Sequence, residues 1–69
     1  MIGDGIKIHR VKHRLTQSEL ADMLGVTQQA IHSWESNRTC PNIKILIQLS
    51  EIFVVTTDEI IFAQDDSLE

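Results

Sequence analysis

The 69-residue chain contains one cysteine and one proline, Cys40 and Pro41, which are adjacent. A single thiol excludes an internal disulfide, so packing alone must hold the fold. The start, MIGDGIK, has no apolar run of signal-peptide length, and no stretch approaches the roughly 20 apolar residues of a membrane span. The protein is therefore expected to be soluble and cytoplasmic, with no membrane partner. Internal repeats, low-complexity segments and obvious linkers are missing as well, and no segment alternates convincingly with strand period. At this length a single core is only marginally sufficient without cross-links or a partner.

Catalytic equipment is also scarce. Nothing resembles a nucleotide-binding loop or a paired-carboxylate site. His9 and His13 are four apart, a spacing that can bind zinc, but no cysteine or carboxylate stands at motif distance to complete a site. Cys40 has no base beside it in sequence to make it a nucleophile or redox centre. We expect no metal, no cofactor and no enzymatic activity.

A strongly basic balance is lacking too: the net charge is −4, which at first argues against a polyanionic partner. The distribution of charge says more than the total. Residues 1–44 hold all six Lys and Arg against four acids (Asp4, Glu19, Asp22, Glu35), whereas residues 45–69 hold six acids and no base. A basic-leaning front and an acidic rear would orient the molecule in a phosphate field, although an acidic end also serves simply as a solubilising surface.

What is present is a run of helix-start signals. Thr16-Gln17-Ser18-Glu19 and Thr56-Thr57-Asp58-Glu59 each fit a capping box, flanked by Leu15/Leu20 and Val55/Ile60 as staples. Thr27, between Val26 and Ile31, and Asn42, after Pro41, are further caps. The pattern predicts an all-α chain with five helices, at about 3–13, 17–24, 28–35, 43–53 and 57–62.

The stretch GVTQQAIHSWESNR carries the chemistry. At about 100° per residue, Gln28, Gln29, His32, Ser33 and Ser36 share an arc of roughly 140°, opposite Ala30, Ile31 and Trp34. One face is therefore for burial, with Trp34 a core anchor, and the other for display. Leu24-Gly25-Val26-Thr27 makes a tight connection, because Gly25 can take the left-handed conformation that ends one helix while Thr27 caps the next. Ala21 and Ala30 are small enough to let the two helices cross closely. The result is a helix-turn-helix whose second helix is free to enter a major groove. A glutamine amide can both donate to and accept from an adenine edge, without the desolvation cost of a charge. Glutamine is common on any solvated helix face, but this pair opens the second helix directly after a glycine turn.

LTQSELADMLGVTQQAIHSWESNRTCPNIKILIQLSEIF, Leu15 to Phe53, resembles the helix-turn-helix family of phage repressors and Cro proteins, the XRE family. The T-Q-x-x-L-A, G-V, I-x-x-W-E and P elements occur in order at the family's spacing, and the likeness extends from helix 1 through Ile61. It implies a compact five-helix, lambda-repressor-like DNA-binding domain over residues 1–64, with the helix-turn-helix at helices 2 and 3 and a short acidic tail at 65–69. By position, the resemblance gives Gln28, Gln29, His32 and Ser33 the reading of base edges. Gln17, Thr27, Arg38 and Thr39 would contact phosphate, and Arg10 and Glu35 would form an ion pair joining helix 1 to the end of helix 3. Each of these is otherwise an ordinary surface residue or, for Arg10 and Glu35, a structural pair alone.

The chain departs from the family at Arg14, Asn37 and Val54, where glycine is often found. Asn37 tolerates a left-handed conformation, Arg14 does so less readily and β-branched Val54 poorly. The ends of helices 1 and 4 are therefore expected to differ in geometry, which bears on the angle of helix 5. Thr57 stands where an apolar residue is usual, so helix 5 is expected to be held less firmly.

Two functions of different class follow. The first is a stand-alone transcriptional regulator that binds double-stranded DNA as a homodimer on an inverted repeat and represses by blocking a promoter. The second is a protein-binding module of the antitoxin or anti-repressor kind, with a regulatory protein partner and secondary DNA binding. For the homodimer, Ile61 and Phe62 are the expected contact residues. With Ile60 pointing inward, successive turns of about 100° leave one or both of them outside unless they pack back onto helix 1. No extra ligand-sensing domain is expected in this chain.

Overall fold

The computed structural model describes residues 1–63. They form α1 (Ile2–Lys12), α2 (Gln17–Leu24), α3 (Gln28–Glu35), α4 (Ile43–Phe53) and α5 (Thr57–Ile61), and no strand occurs among the described residues. The predicted tail at 65–69, with Asp65, Asp66 and Glu69, lies outside the described residues. Helix α1 begins one residue earlier than its apolar spacing suggests because Asp4 closes the first turn. Its amide donates to the Met1 carbonyl at 3.0 Å, and its carboxylate takes the N-terminal ammonium at 3.2 Å.

The helix starts follow from their caps. Thr16 Oγ1 accepts the Glu19 amide at 3.0 Å while the Glu19 carboxylate accepts the Thr16 amide at 2.9 Å. Donation to the Glu19 carboxylate, first from the Thr16 amide and then from the Thr16 hydroxyl, holds that carboxyl below the usual carboxylate range. Thr27 caps α3 through the Ala30 amide at 3.1 Å, Asn42 caps α4 through Ile45 at 2.9 Å, and Thr56 caps α5 through Glu59 at 3.1 Å.

The helix ends share one solution. Arg14, Gly25, Asn37 and Val54 all have φ between 55° and 70°. Just beyond each, an amide reaches back five residues: Leu15 to Arg10, Val26 to Ala21, Arg38 to Ser33 and Val55 to Ser50, each at 3.0–3.1 Å. This is the Schellman closure, which satisfies carbonyls that a helix end would leave open. The expected departure at the ends of helices 1 and 4 therefore does not occur. Arg14 and Val54 take the left-handed conformation despite their Cβ atoms, at a cost of about 1–2 kcal/mol each, because the backbone hydrogen bonds and flanking core residues fix the chain path.

Each helix contributes to one core: Ile6 from α1, Leu20, Ala21 and Leu24 from α2, Ile31 and Trp34 from α3, Leu46, Leu49 and Phe53 from α4, and Ile60 from α5. Helix α1 packs on both α3 and α5, and α2 packs on α3. The imidazoles of His9 and His13 both lie against the Phe53 ring, with centroids 5.7 and 5.4 Å away. His9 is buried, and its Nε2 lies 3.4 Å from the Glu59 carbonyl of α5. Ile60 anchors α5, with Thr57 half-buried beside it.

Candidate nucleic-acid interface

Helices α2 and α3 are joined by Gly25, Val26 and Thr27. Gly25 has φ 70°, the amide of Val26 returns to Ala21, and Thr27 starts α3. Ala21 of α2 is buried in the core, and Ala30 of α3 is half-buried against it. Ile31 and Trp34 fix α3 to the core on one side. On the other side Gln28, Gln29 and His32 are exposed and Ser33 is half-buried. Ser36 is turned back on its own helix, its hydroxyl donating to the carbonyls of His32 at 2.8 Å and Ser33 at 3.2 Å. The outward face of α3 thus offers two amides and an imidazole whose positions are set by a rigid backbone.

The flanking groups lie at both ends of that face. Thr27 spends its oxygen on the Ala30 amide and keeps its hydroxyl proton to donate. Arg38 and Thr39 are exposed in the loop between α3 and α4. The loop is closed by the Arg38 amide on Ser33 and by Asn37, whose Oδ1 accepts the Gly3 amide at 3.0 Å.

Behind the interface, Arg10 grips Glu35 in a two-point ion pair, Nε to Oε2 at 2.6 Å and Nη2 to Oε1 at 3.0 Å. Its Nη1 donates to the Leu15 carbonyl at 2.8 Å, so one guanidinium ties α1 to the end of α3 and to its own following turn. Gln17 is half-buried and donates its amide to Glu35 Oε1 at 3.1 Å, which links the start of α2 to the same carboxylate. One Gln17 N–H and its carbonyl oxygen remain for another partner. Spacing alone did not suggest the Gln17–Glu35 contact, since it joins residues 18 apart across two helices. The same holds for Asn37 and Gly3. Lys7 lines a cleft beside Gln17 and His32, and its place three residues before Arg10 on α1 is the sequence signal for it.

The model of a family described as helix-turn-helix matches residues 6–60. The chain belongs to this helix-turn-helix family, of the XRE type. An uncharacterised HTH-type transcriptional regulator from Methanocaldococcus jannaschii is 34% identical over 61 residues, covering 88% of this chain and 92% of that protein. Repressor protein C2 of Salmonella phage P22 is 34% identical over 58 residues, and the HTH-type transcriptional activator BcrR of Enterococcus faecalis is 39% identical over 56. The matched region spans about a quarter of those two longer proteins, 27% and 28% of their lengths. Among solved structures, the P22 c2 repressor protein in complex with a synthetic operator superposes with a TM-score of 0.84 and 31% identity, covering 93% of this chain and 97% of that one. No helix among the described residues is long and apolar enough to cross a membrane.

Proposed function

We propose that this helix-turn-helix protein is a sequence-specific, double-stranded-DNA-binding transcriptional regulator that represses by occupying an inverted-repeat operator as a homodimer, with α3 in the major groove. The observation that carries the reading is the exposed Gln28–Gln29–His32 face on a helix clamped from behind by Ile31 and Trp34. The likeness to a repressor solved on its operator supports the same reading. Gln28, Gln29, His32 and Ser33 are assigned to base edges, and Gln17, Thr27, Arg38 and Thr39 to phosphates. Selection of bound DNA from a random pool with purified protein tests it. The expected product is a two-fold symmetric site with half-site centres about one helical turn, roughly 34 Å, apart. An enriched set without any repeat would count against a symmetric dimer.

Base and phosphate contacts leave different signatures. Gln28→Ala should weaken binding to the selected site by about 1–3 kcal/mol and relax preference at one base position. Arg38→Ala should weaken binding to every sequence and reduce the salt slope by about one. Uniform weakening with Gln28→Ala, or an unchanged slope with Arg38→Ala, would remove the respective assignment.

Two copies are needed because α3, eight residues long, spans only about 12 Å. That length reaches a few base pairs, too few for useful specificity. Phe62 is 73% exposed at the end of α5 and Ile61 is half-buried, so Phe62 leads the candidate dimer contact. Light scattering over a concentration series should give a dimer that Phe62→Glu or Ile61→Glu shifts toward monomer, with the helical circular dichroism retained. If both variants stay dimeric, the contact lies elsewhere.

One observation favours the second reading, a protein-binding module with secondary DNA contact. Ile43 and Ile47 are exposed on α4, and Val54, in the left-handed turn that follows it, is 85% exposed although its backbone position is strained. Failure of the DNA selection, with retained fold, would move the assignment to that surface.

A further inference from the structure

Helix α1 starts without a side-chain cap of its own. Its N-cap position is Met1, whose thioether is a poor substitute for the oxygens that Thr16, Thr27, Asn42 and Thr56 supply at the other four described helix starts. The acceptor comes instead from 34 residues away: Asn37 Oδ1 takes the Gly3 amide at 3.0 Å, and Asn37 Nδ2 donates to Asp4 Oδ1 at 3.4 Å. The side-chain amide of Asn37 thus clasps the first turn of α1 at two points. A Cβ on Gly3 would overlap the Trp34 carbonyl oxygen and lie 2.6 Å from Asn37 Oδ1, so this first turn lies directly against the end of α3.

The same residue forms the corner from which the loop after α3 departs. Asn37 has φ 61°, and its amide returns to the Trp34 carbonyl at 3.0 Å. Arg38 and Thr39 follow, their amides sharing the Ser33 carbonyl at 3.0 and 3.4 Å and their side chains exposed. Arg38 is therefore aimed by its backbone and not by a packed neighbour. Glycine would meet φ 61° at lower cost than asparagine, so the backbone alone does not call for an amide here. What asparagine adds is the clasp.

We propose that Asn37 is a positioning residue for DNA binding: by tying the corner after α3 to the first turn of α1, it aims Arg38 at its phosphate. The proposal rests on the DNA-binding reading and on the phosphate assignment of Arg38, and it adds a residue that acts without touching DNA. Without the clasp, the corner is held only by the backbone hydrogen bonds to Trp34 and Ser33, and Arg38 samples a wider range of directions before binding. That freedom is given up on the DNA, and ordering one long side chain weakens binding by about two- to tenfold. The loss belongs to a phosphate contact, so it carries no base preference.

The test is a double-mutant cycle on the full chain, with affinity measured at one salt concentration for the selected site and for an unrelated duplex. Asn37→Gly keeps the left-handed corner and removes the clasp. It should weaken binding to both duplexes by the same factor, leave the selected sequence unchanged and retain the helical circular dichroism. In an Arg38→Ala background the same substitution should have no further effect, because no guanidinium is left to aim. Equal losses in the two backgrounds overturn the proposal, since Asn37 would then act on the fold and not through Arg38. So does wild-type affinity in Asn37→Gly, or a loss confined to the selected site. If Arg38→Ala binds both duplexes as wild type does, or if wild type selects no DNA at all, the underlying assignment has failed and the proposal falls with it, an outcome distinct from these.

Discussion

Alanine at position 5 is expected to destabilise the domain by about 2–3 kcal/mol, a sign opposite to that of helix propensity. In an exposed helix interior, Gly→Ala gains about 1 kcal/mol from backbone entropy. Gly5, however, is the point at which α1 passes the backbone of α5. A Cβ there would overlap the Ile60 carbonyl oxygen and lie 2.7 Å from its carbon. A flexible side chain could turn aside, but this neighbour is backbone, on the helix whose only fully buried residue is Ile60. Inserted atoms in tight cores cost typically 1–3 kcal/mol and occasionally more. Here α5 must lift from α1, so Ile60 also loses burial. For a domain of this size, holding roughly 3–10 kcal/mol in total, the fall in melting temperature should be on the order of 10–20 °C. Gly25→Ala is the matching control: nothing lies within 4 Å of its Cβ, so its penalty is only that of a left-handed alanine at φ 70°, about 1–2 kcal/mol. A Gly5→Ala protein that melts at or above wild type would mean that α1 and α5 are not in this contact.

The helix starts were legible in the sequence because a cap is local: Thr16, Thr27, Asn42 and Thr56 each satisfy an amide three residues away. The display face of α3 was legible for the same reason, since period and turn residues lie within a dozen positions. What was misjudged were the ends of α1 and α4. Propensity disfavours left-handed Arg14 and Val54, yet core residues on both sides of each corner dictate where the chain must turn, and the i−5 amide bond rewards the turn whichever residue occupies it. The long-range contacts were not legible. That Gly5 meets Ile60, Gly3 meets Asn37 and Gln17 meets Glu35 depends on how the helices cross, which no periodicity specifies. The cleft holding Lys7 and His32 is of this kind, because its walls come from three helices.

The ion pair behind α3 should show an asymmetric penalty on truncation. The side chains of Arg10 and Glu35 are only 12% and 4% exposed, so neither is a surface charge that water will readily take over. Removing one member of a buried pair typically costs 3–5 kcal/mol, because the other remains desolvated, whereas removing both spares that penalty. Arg10→Ala should be the worse single change. It strips Glu35 of two charge-assisted hydrogen bonds, leaving an almost fully buried carboxylate with Gln17 alone, and it also takes the donor from the Leu15 carbonyl. Glu35→Ala leaves a guanidinium that still holds the Leu15 carbonyl, sits nearer the surface, and has a long stem with which to reach water. Urea unfolding of the two single variants and of Arg10→Ala/Glu35→Ala would measure this. The expected order is Arg10→Ala least stable, then Glu35→Ala, with the double replacement closer to wild type than the sum of the singles. Additive losses would mean that the two charges do not interact, and a more damaging Glu35→Ala would mean that the cation, not the carboxylate, is the group left stranded.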